Sequence, residues 1–159
     1  MINLILSDTD RSLFYLNEII KNKIKISKIF LYSRNYGQTY RFIKKNKIKC
    51  PLILFKTNDV NSINLGRKSK LFRSDINIIS TYPGEIINKP SLIKKKLLHC
   101  HPGDLPKFKG STTIYYTIIQ RQKICVSILE INKNIDSGKI IYKKYFPYPK
   151  NFKEVEKNF

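Results

Sequence analysis

The chain has 159 residues, 42% of them hydrophobic, with seven prolines and six glycines, a length and composition that suit one globular domain and exclude a fibrous or disordered chain. Its 31 basic and 11 acidic side chains sum to +20, enough to attract polyanions such as a nucleotide-linked substrate, a tRNA or an acidic membrane surface. Lysine, isoleucine and asparagine are over-used in apolar runs and turns alike, as an AT-rich genome would produce, so a solvated basic surface is the simpler reading.

Ile2 to Leu6 is an apolar run followed by Ser7, Asp8, Thr9 and Asp10, which can turn the chain and cap a helix carried by Leu13, Leu16, Ile19 and Ile20. Lys28 to Tyr32 predicts a second strand, Tyr36 to Asn46 a second helix and Pro51 to Phe55 a third strand. Alternation of strands with helices favours a parallel sheet covered on both faces. Ile76 to Ser80 reads as a central strand, and residues 81–84, TYPG, force a loop at its carboxyl end. Pro90 to Lys96 predicts a short helix with proline near its start, and Leu97 to Cys100 a strand running into His101, Pro102 and Gly103. Thr112 to Gln120 suits a helix, with Tyr115 and Tyr116 expected to pack against the sheet rather than to form a substrate platform; Ile124 to Glu130 and Lys139 to Tyr145 suit strands. The tail from Asn151 is polar and reads as the start of a helix too short to complete, which suggests a shortened C-terminal region.

Cys50, Cys100 and Cys125 are odd in number and form no CxxC pair, which fits small core residues in a reducing compartment. With no run of 18 apolar residues and no signal-peptide pattern, a cytoplasmic chain without a membrane span is expected.

Where strands of an open α/β sheet end in loops, ligands bind, so the loops after Ser80 and after Cys100 are the first candidates. The two histidines of the chain, His99 and His101, stand two apart, on one face of a strand. An imidazole takes or gives a proton near neutrality and donates to a developing oxyanion, so the pair suits acyl transfer; a pair of half-buried structural histidines is the plain alternative. Metal ligation needs a third ligand, and nothing nearby in sequence supplies one, so no metal is expected. Asp136 lies in a turn sequence between two strands, and Asp104 follows Gly103 where it can close a turn. Lys107 and Lys109 flank Phe108 and can meet an anionic substrate or solvent. The segment 7–10 lacks glycines, and its two carboxylates would repel a phosphate.

Residues 98–110 (LHCHPGDLPKFKG), 111–116 (STTIYY) and 135–141 (IDSGKII) together resemble the folate-dependent formyltransferase family, which includes methionyl-tRNA, phosphoribosylglycinamide and sugar N-formyltransferases. The family pattern is Asn-x-His-Pro, a Leu-Pro-led segment closing on Gly, and a later Asp-x-Gly. The resemblance implies an α/β, three-layer Rossmann-like fold with a mostly parallel central sheet, as one domain over residues 1–150 and a tail over 151–159. It implies that His101 and Asp136 move protons while an amine attacks the formyl carbon of 10-formyltetrahydrofolate, and that His99 occupies the oxyanion-donor position given to Asn in the family. Tyr82, Pro83, Gly84, Glu85 and Ile86 match a loop that lines the pterin pocket through backbone groups, with Asn134 and Ile135 on the opposite wall. The expected acceptor is a small-molecule amine, in first place a nucleotide-linked amino sugar of polysaccharide biosynthesis. A methionyl-tRNA-directed enzyme and a catalytically impaired remnant that binds through its basic surface are the alternatives; the remnant would follow from His99 and the short C-terminus. Nucleic acid is the less favoured partner, and a second copy in a homodimer is admissible.

Overall fold

The computed structural model describes residues 1–64, 76–120 and 122–148. By internal contacts the chain divides into two compact units, Met1–Leu98 and His99–Phe159.

In the first unit, β1 (Ile2–Ser7) is buried at every residue and runs parallel to β2 (Ile26–Tyr32) on one side and β4 (Ile76–Ser80) on the other. A strand covered on both faces needs apolar residues in succession rather than in alternation, which is why residues 2–6 read INLIL. β3 (Leu52–Phe55) pairs parallel with β2, and the first residues of β5 (Leu97–His101) pair parallel with β4 at Asn77↔Leu97 and Ile78↔Leu98. Leu4, Leu6, Ile29 and Leu31 of these strands form one core with Leu16 and Ile19 of α1 (Asp10–Lys21) and Ile43 of α2 (Gln38–Lys45). On the other face, Asn3 and Asn77, opposite each other in β1 and β4, are buried polar side chains, which are costly unless hydrogen-bonded. The Asn3 Nδ2 donates to Asn77 Oδ1 at 2.9 Å, and Asn77 Nδ2 donates to the Lys95 carbonyl at 2.9 Å.

The segment between β1 and α1 caps the N-termini of two helices. Thr9 accepts from the Ser12 N–H as the N-cap of α1. Asp8 turns its carboxylate to α2, accepting from the Thr39 N–H at 2.9 Å and the Gly37 N–H at 2.5 Å. Its negative charge is thereby spent on a helix N-terminus, which favours anions.

The second unit starts from the end of β5, followed by α4 (Thr113–Ile119), β6 (Ile124–Glu130) and β7 (Ile140–Phe146). β6 and β7 are antiparallel, from Ile124↔Phe146 to Leu129↔Ile140. In the first unit the strand order is β3-β2-β1-β4-β5, parallel at every pairing, so the strands are mostly parallel, with the hairpin of the second unit as the departure from strict helix alternation. β5 reaches one residue further than predicted, placing His101 within the strand. α3 (Pro90–Ile93) is shorter than predicted, because Lys96 turns the chain at φ 51 into β5. A short 3-10 helix, Val60–Ser62, was not foreseen. The expected packing of Tyr115 and Tyr116 is not found: they are 50% and 56% exposed. α4 instead buries Thr113, Thr117 and Ile118, residues at helical spacing that leave positions 115 and 116 on the opposite side. The tail 151–159 lies outside the described residues. Among the described residues no helix is long and apolar enough to cross a membrane.

Candidate active site

His99 and His101 point to one side of β5 by the two-residue period of a strand. His99 is half-buried and His101 is 2% exposed. The chain turns sharply after the strand, with the Gly103 N–H on the His101 carbonyl at 2.9 Å. It then crosses the cis Leu105–Pro106 peptide and returns so that the Phe108 carbonyl lies 2.7 Å from His101 Nε2.

Gly103 is the residue that permits this return. A Cβ there would stand 2.7 Å from His101 Nε2, 2.8 Å from the Phe108 oxygen and 3.0 Å from Thr113 Oγ1. The turn is also held from β6, where buried Ser127 donates to the Gly103 carbonyl at 2.6 Å and accepts from the Leu105 N–H at 3.2 Å. From β7, Lys143 donates to Asp104 Oδ1 at 2.7 Å and Tyr145 OH donates to the same oxygen at 3.1 Å. The hydrogen bond to Asp104 holds the Lys143 ammonium above the usual lysine range.

Asp136 arrives from the loop between β6 and β7 in a left-handed conformation, φ 44, which Asp tolerates better than most residues. Two residues on, Gly138 is fixed by sterics: a Cβ would lie 1.6 Å from the Glu130 carbonyl oxygen. The turn closes through Asn132 Nδ2 on the Ser137 carbonyl at 2.9 Å and Ser137 Oγ on the Ile135 carbonyl at 2.8 Å. Thus oriented, Asp136 Oδ2 accepts the Gly110 N–H at 2.8 Å and stands 3.4 Å from His101 Nδ1. One short segment, 104–110, therefore offers a carbonyl to the imidazole and an N–H to the carboxylate. The imidazole and carboxylate, 35 positions apart in sequence, meet.

A carbonyl oxygen only accepts, so His101 Nε2 carries a hydrogen, and in the neutral ring Nδ1 then bears the lone pair. That lone pair faces a carboxylate oxygen, and two acceptors at 3.4 Å need a cation or a proton between them. The two atoms face each other away from most of the solvent, with the His101 and Asp136 side chains only 3% and 12% exposed. His99 adds a second imidazole: one ligand atom each from His99, His101 and Asp136 lie within 4.8 Å of one another. This supplies the third group that local spacing did not, and it comes from the turn before Gly138.

The other residues singled out in the sequence fall as follows. In the first unit, Tyr82 to Glu85 form a tight turn with the Glu85 N–H on the Tyr82 carbonyl at 3.2 Å and Gly84 at φ 75, where glycine at the third position relieves strain. The Glu85 carboxylate turns inward, accepting from Tyr32 OH at 2.7 Å, from the Tyr82 N–H at 3.0 Å and from the Val60 N–H. Burial, with the nearby Glu85 carboxylate, pushes the Tyr32 phenol far above its ordinary range, so it remains a donor. Glu85→Ala would leave that buried hydroxyl and two N–H groups unpaired, at a cost of about 3 kcal/mol; the midpoint of urea unfolding should fall accordingly, and an unchanged midpoint would dismiss Glu85 as the organiser of this loop. Pro83 lines a groove of about 470 Å³ with Asp8, Thr9, Asp10, Arg11 and Gln38. In the second unit Asn134 and Ile135 are exposed beside Asp136, Ile135 by 47%. Lys109 donates to Ser137 Oγ at 2.9 Å and Lys107 to Gln122 Oε1 at 2.8 Å.

Sequence reasoning missed Ser127 and the inward turn of Glu85. Ser127 had a visible signal, a small polar residue at an inward position of the apolar strand ICVSILE.

The formyl transferase family model matches residues 4–154. The methionyl-tRNA formyltransferase of Orientia tsutsugamushi (strain Boryong) is 35% identical over 99 residues, 60% of this chain and 30% of that protein. The enzyme of the same name from Wolbachia sp. subsp. Drosophila simulans (strain wRi) is 33% identical over 89 residues, 53% of this chain and 29% of that protein. The matched stretches thus span less than a third of these relatives' length. Among solved structures, phosphoribosylglycinamide formyltransferase from Campylobacter jejuni superposes with a TM-score of 0.76 at 20% identity, covering 99% of this chain and 87% of that one. The formyltransferase PseJ from Anoxybacillus kamchatkensis, solved with UDP-4,6-dideoxy-4-formamido-L-AltNAc and tetrahydrofolate, superposes at 0.51 and 16% identity, covering 94% and 62%. At such identities the likeness is one of fold.

Proposed function

The chain belongs to the formyl transferase family, and on that premise we propose that it moves a formyl group from 10-formyltetrahydrofolate to an amino group carried on a phosphate-bearing molecule, in first place a nucleotide-linked amino sugar. The observation that carries the reading is the 3.4 Å approach of His101 Nδ1 to Asp136 Oδ2, held by the Phe108 carbonyl and the Gly110 N–H. The folate supplies an activated formyl carbon. As the amine nitrogen bonds to that carbon and the bond to folate N10 breaks, Asp136 and His101 take the proton the amine gives up and return one to N10. Both contacts of Asp136 fall on Oδ2, so Oδ1 is the oxygen the amine addresses. His99 donates an N–H to the formyl oxygen as it becomes negative.

For donor binding we assign the backbone of Tyr82, Pro83, Gly84, Glu85 and Ile86 in the first unit and, independently, Asn134 and Ile135 in the second. Ile86 and Ile135 are 49% and 47% exposed, apolar side chains that a flat pterin would cover. The net charge of +20 suits a phosphate-bearing acceptor. A second reading, methionyl-tRNA as acceptor, is favoured by the 33–35% identity to enzymes of that name. It predicts tRNA binding that weakens steeply with added salt.

The test is tetrahydrofolate release from 10-formyltetrahydrofolate against a panel of UDP-linked amino sugars, glycinamide ribonucleotide and methionyl-tRNA, for the parent and Asp136→Asn. Asparagine tolerates the left-handed conformation of position 136 and its amide oxygen still accepts from Gly110. Release with one amine, reduced by about 10²-fold or more in the variant at unchanged melting temperature, is expected. Folate binding without release for every amine would replace the enzyme with a binding remnant.

A further inference from the structure

We infer that His99, His101 and Asp136 form a three-ligand site for a divalent cation of the zinc class. Ligand atoms of the three residues lie within 4.8 Å of one another. A tetrahedral site with bonds of 2.0–2.2 Å has edges of about 3.3–3.6 Å, and the His101 Nδ1 to Asp136 Oδ2 distance of 3.4 Å already equals one such edge. The largest separation, at most 4.8 Å, exceeds such an edge by roughly 1.2–1.5 Å, the movement that binding has to supply.

The groups behind the ligands are those a metal site requires. A metal-bound histidine gives its other ring N–H to a carbonyl or carboxylate, which fixes the tautomer and aims the lone pair. His101 does so, with Nε2 on the Phe108 carbonyl at 2.7 Å and Nδ1 turned to Asp136. The carboxylate is oriented in turn by the Gly110 N–H at 2.8 Å. Two imidazoles and one carboxylate are the donor set that borderline cations prefer over calcium or magnesium, and three protein ligands leave a fourth position for water or another donor. The site is particular to a chain with histidine at position 99: the Asn of the family pattern would offer an amide, a poor ligand for such ions.

The inference stands on this geometry and does not depend on formyl transfer. It has a consequence for that reaction all the same. A cation on Nδ1 and Oδ2 occupies the atoms that would carry the proton, so the metal-loaded chain is a blocked form.

Chelator-treated protein titrated with Co²⁺ should develop the visible absorption of a four-coordinate ion at one equivalent, and Zn²⁺ should displace it. His99→Asn, with melting temperature as the fold control, should weaken binding by more than about 100-fold, beyond the 10–100-fold typical of losing an orienting group behind the ligands. Asp136→Asn should do the same. Binding that is absent in the parent, or equal in the parent and both variants, overturns the site. Metal binding with no tetrahydrofolate release from the metal-free chain would leave the site standing and count against formyl transfer alone.

Discussion

His101→Ala is expected to lower kcat/KM for formyl transfer by about 10²–10⁴-fold, the range for loss of a positioned acid–base group, while the chain still melts cooperatively. The truncation removes one hydrogen bond and leaves the Phe108 carbonyl unmet, a cost of about 1–3 kcal/mol against a total of roughly 5–15 kcal/mol for a folded domain. His101→Gln separates the two roles of the ring. A glutamine amide N–H can reach the Phe108 carbonyl and should recover much of the melting temperature, yet it neither takes up nor releases a proton near neutral pH and should recover none of the rate. Groups that act as a unit are non-additive, so combining His101→Ala with Asp136→Asn should cost little more than the worse single change. Steady-state rates of tetrahydrofolate release decide it; a double variant whose loss equals the product of the two singles would dissolve the pair into independent residues.

The sheet was legible because its strands write themselves as apolar runs: Ile76–Ser80 and Ile124–Glu130 were read with the bounds the structure shows. Helix ends were less so. The stop of α3 at Ile93 depends on Lys96 adopting φ 51, a conformation lysine does not advertise. Tyr115 and Tyr116 were expected to pack on the sheet, whereas the face of α4 that is buried is made of Thr113, Thr117 and Ile118.

In the site, His99 and His101 announce themselves by spacing, and Asp136 by the family pattern. What spacing cannot show is the work of backbone groups. The Phe108 carbonyl and the Gly110 N–H fix the imidazole and the carboxylate, and every residue type but proline has both groups. Their trace in the sequence is indirect, through the glycine at 103 whose missing side chain lets the loop approach. Asp8 shows the same limit from the other side: a carboxylate that looked like repulsion for a phosphate is spent as the cap of α2.

Gly138→Ala is expected to be the most destabilising single change in the second unit. The new methyl would overlap the Glu130 carbonyl oxygen at 1.6 Å, and both partners are main chain, so no rotamer change relieves it. Gly138 is not among the glycines at positive φ, which are Gly84 and Gly110; the penalty is therefore contact and not torsion. Relief requires the loop between β6 and β7 to move by well over an ångström, at a cost of about 3 kcal/mol or more, or roughly 6–12 °C in melting temperature for a domain near this size. The hydrogen bond from the Glu130 N–H to the Lys139 carbonyl at 2.8 Å lies in the path of that movement and should be lost with it. Asp136, two residues before the clash, would be carried off Gly110 and His101, so catalysis should fall further than stability alone explains, even well below the melting temperature. Gly103→Ala is the comparison: its Cβ would stand 2.7 Å from a histidine ring nitrogen, 2.8 Å from the Phe108 carbonyl oxygen and 3.0 Å from a threonine hydroxyl, so neighbours must shift there too, by less than the 1.6 Å approach at Gly138 demands. It should cost less stability and still disturb the His101 ring. A melting temperature for Gly138→Ala within 2 °C of the parent would mean that the loop has a second way of bringing its aspartate to the histidine.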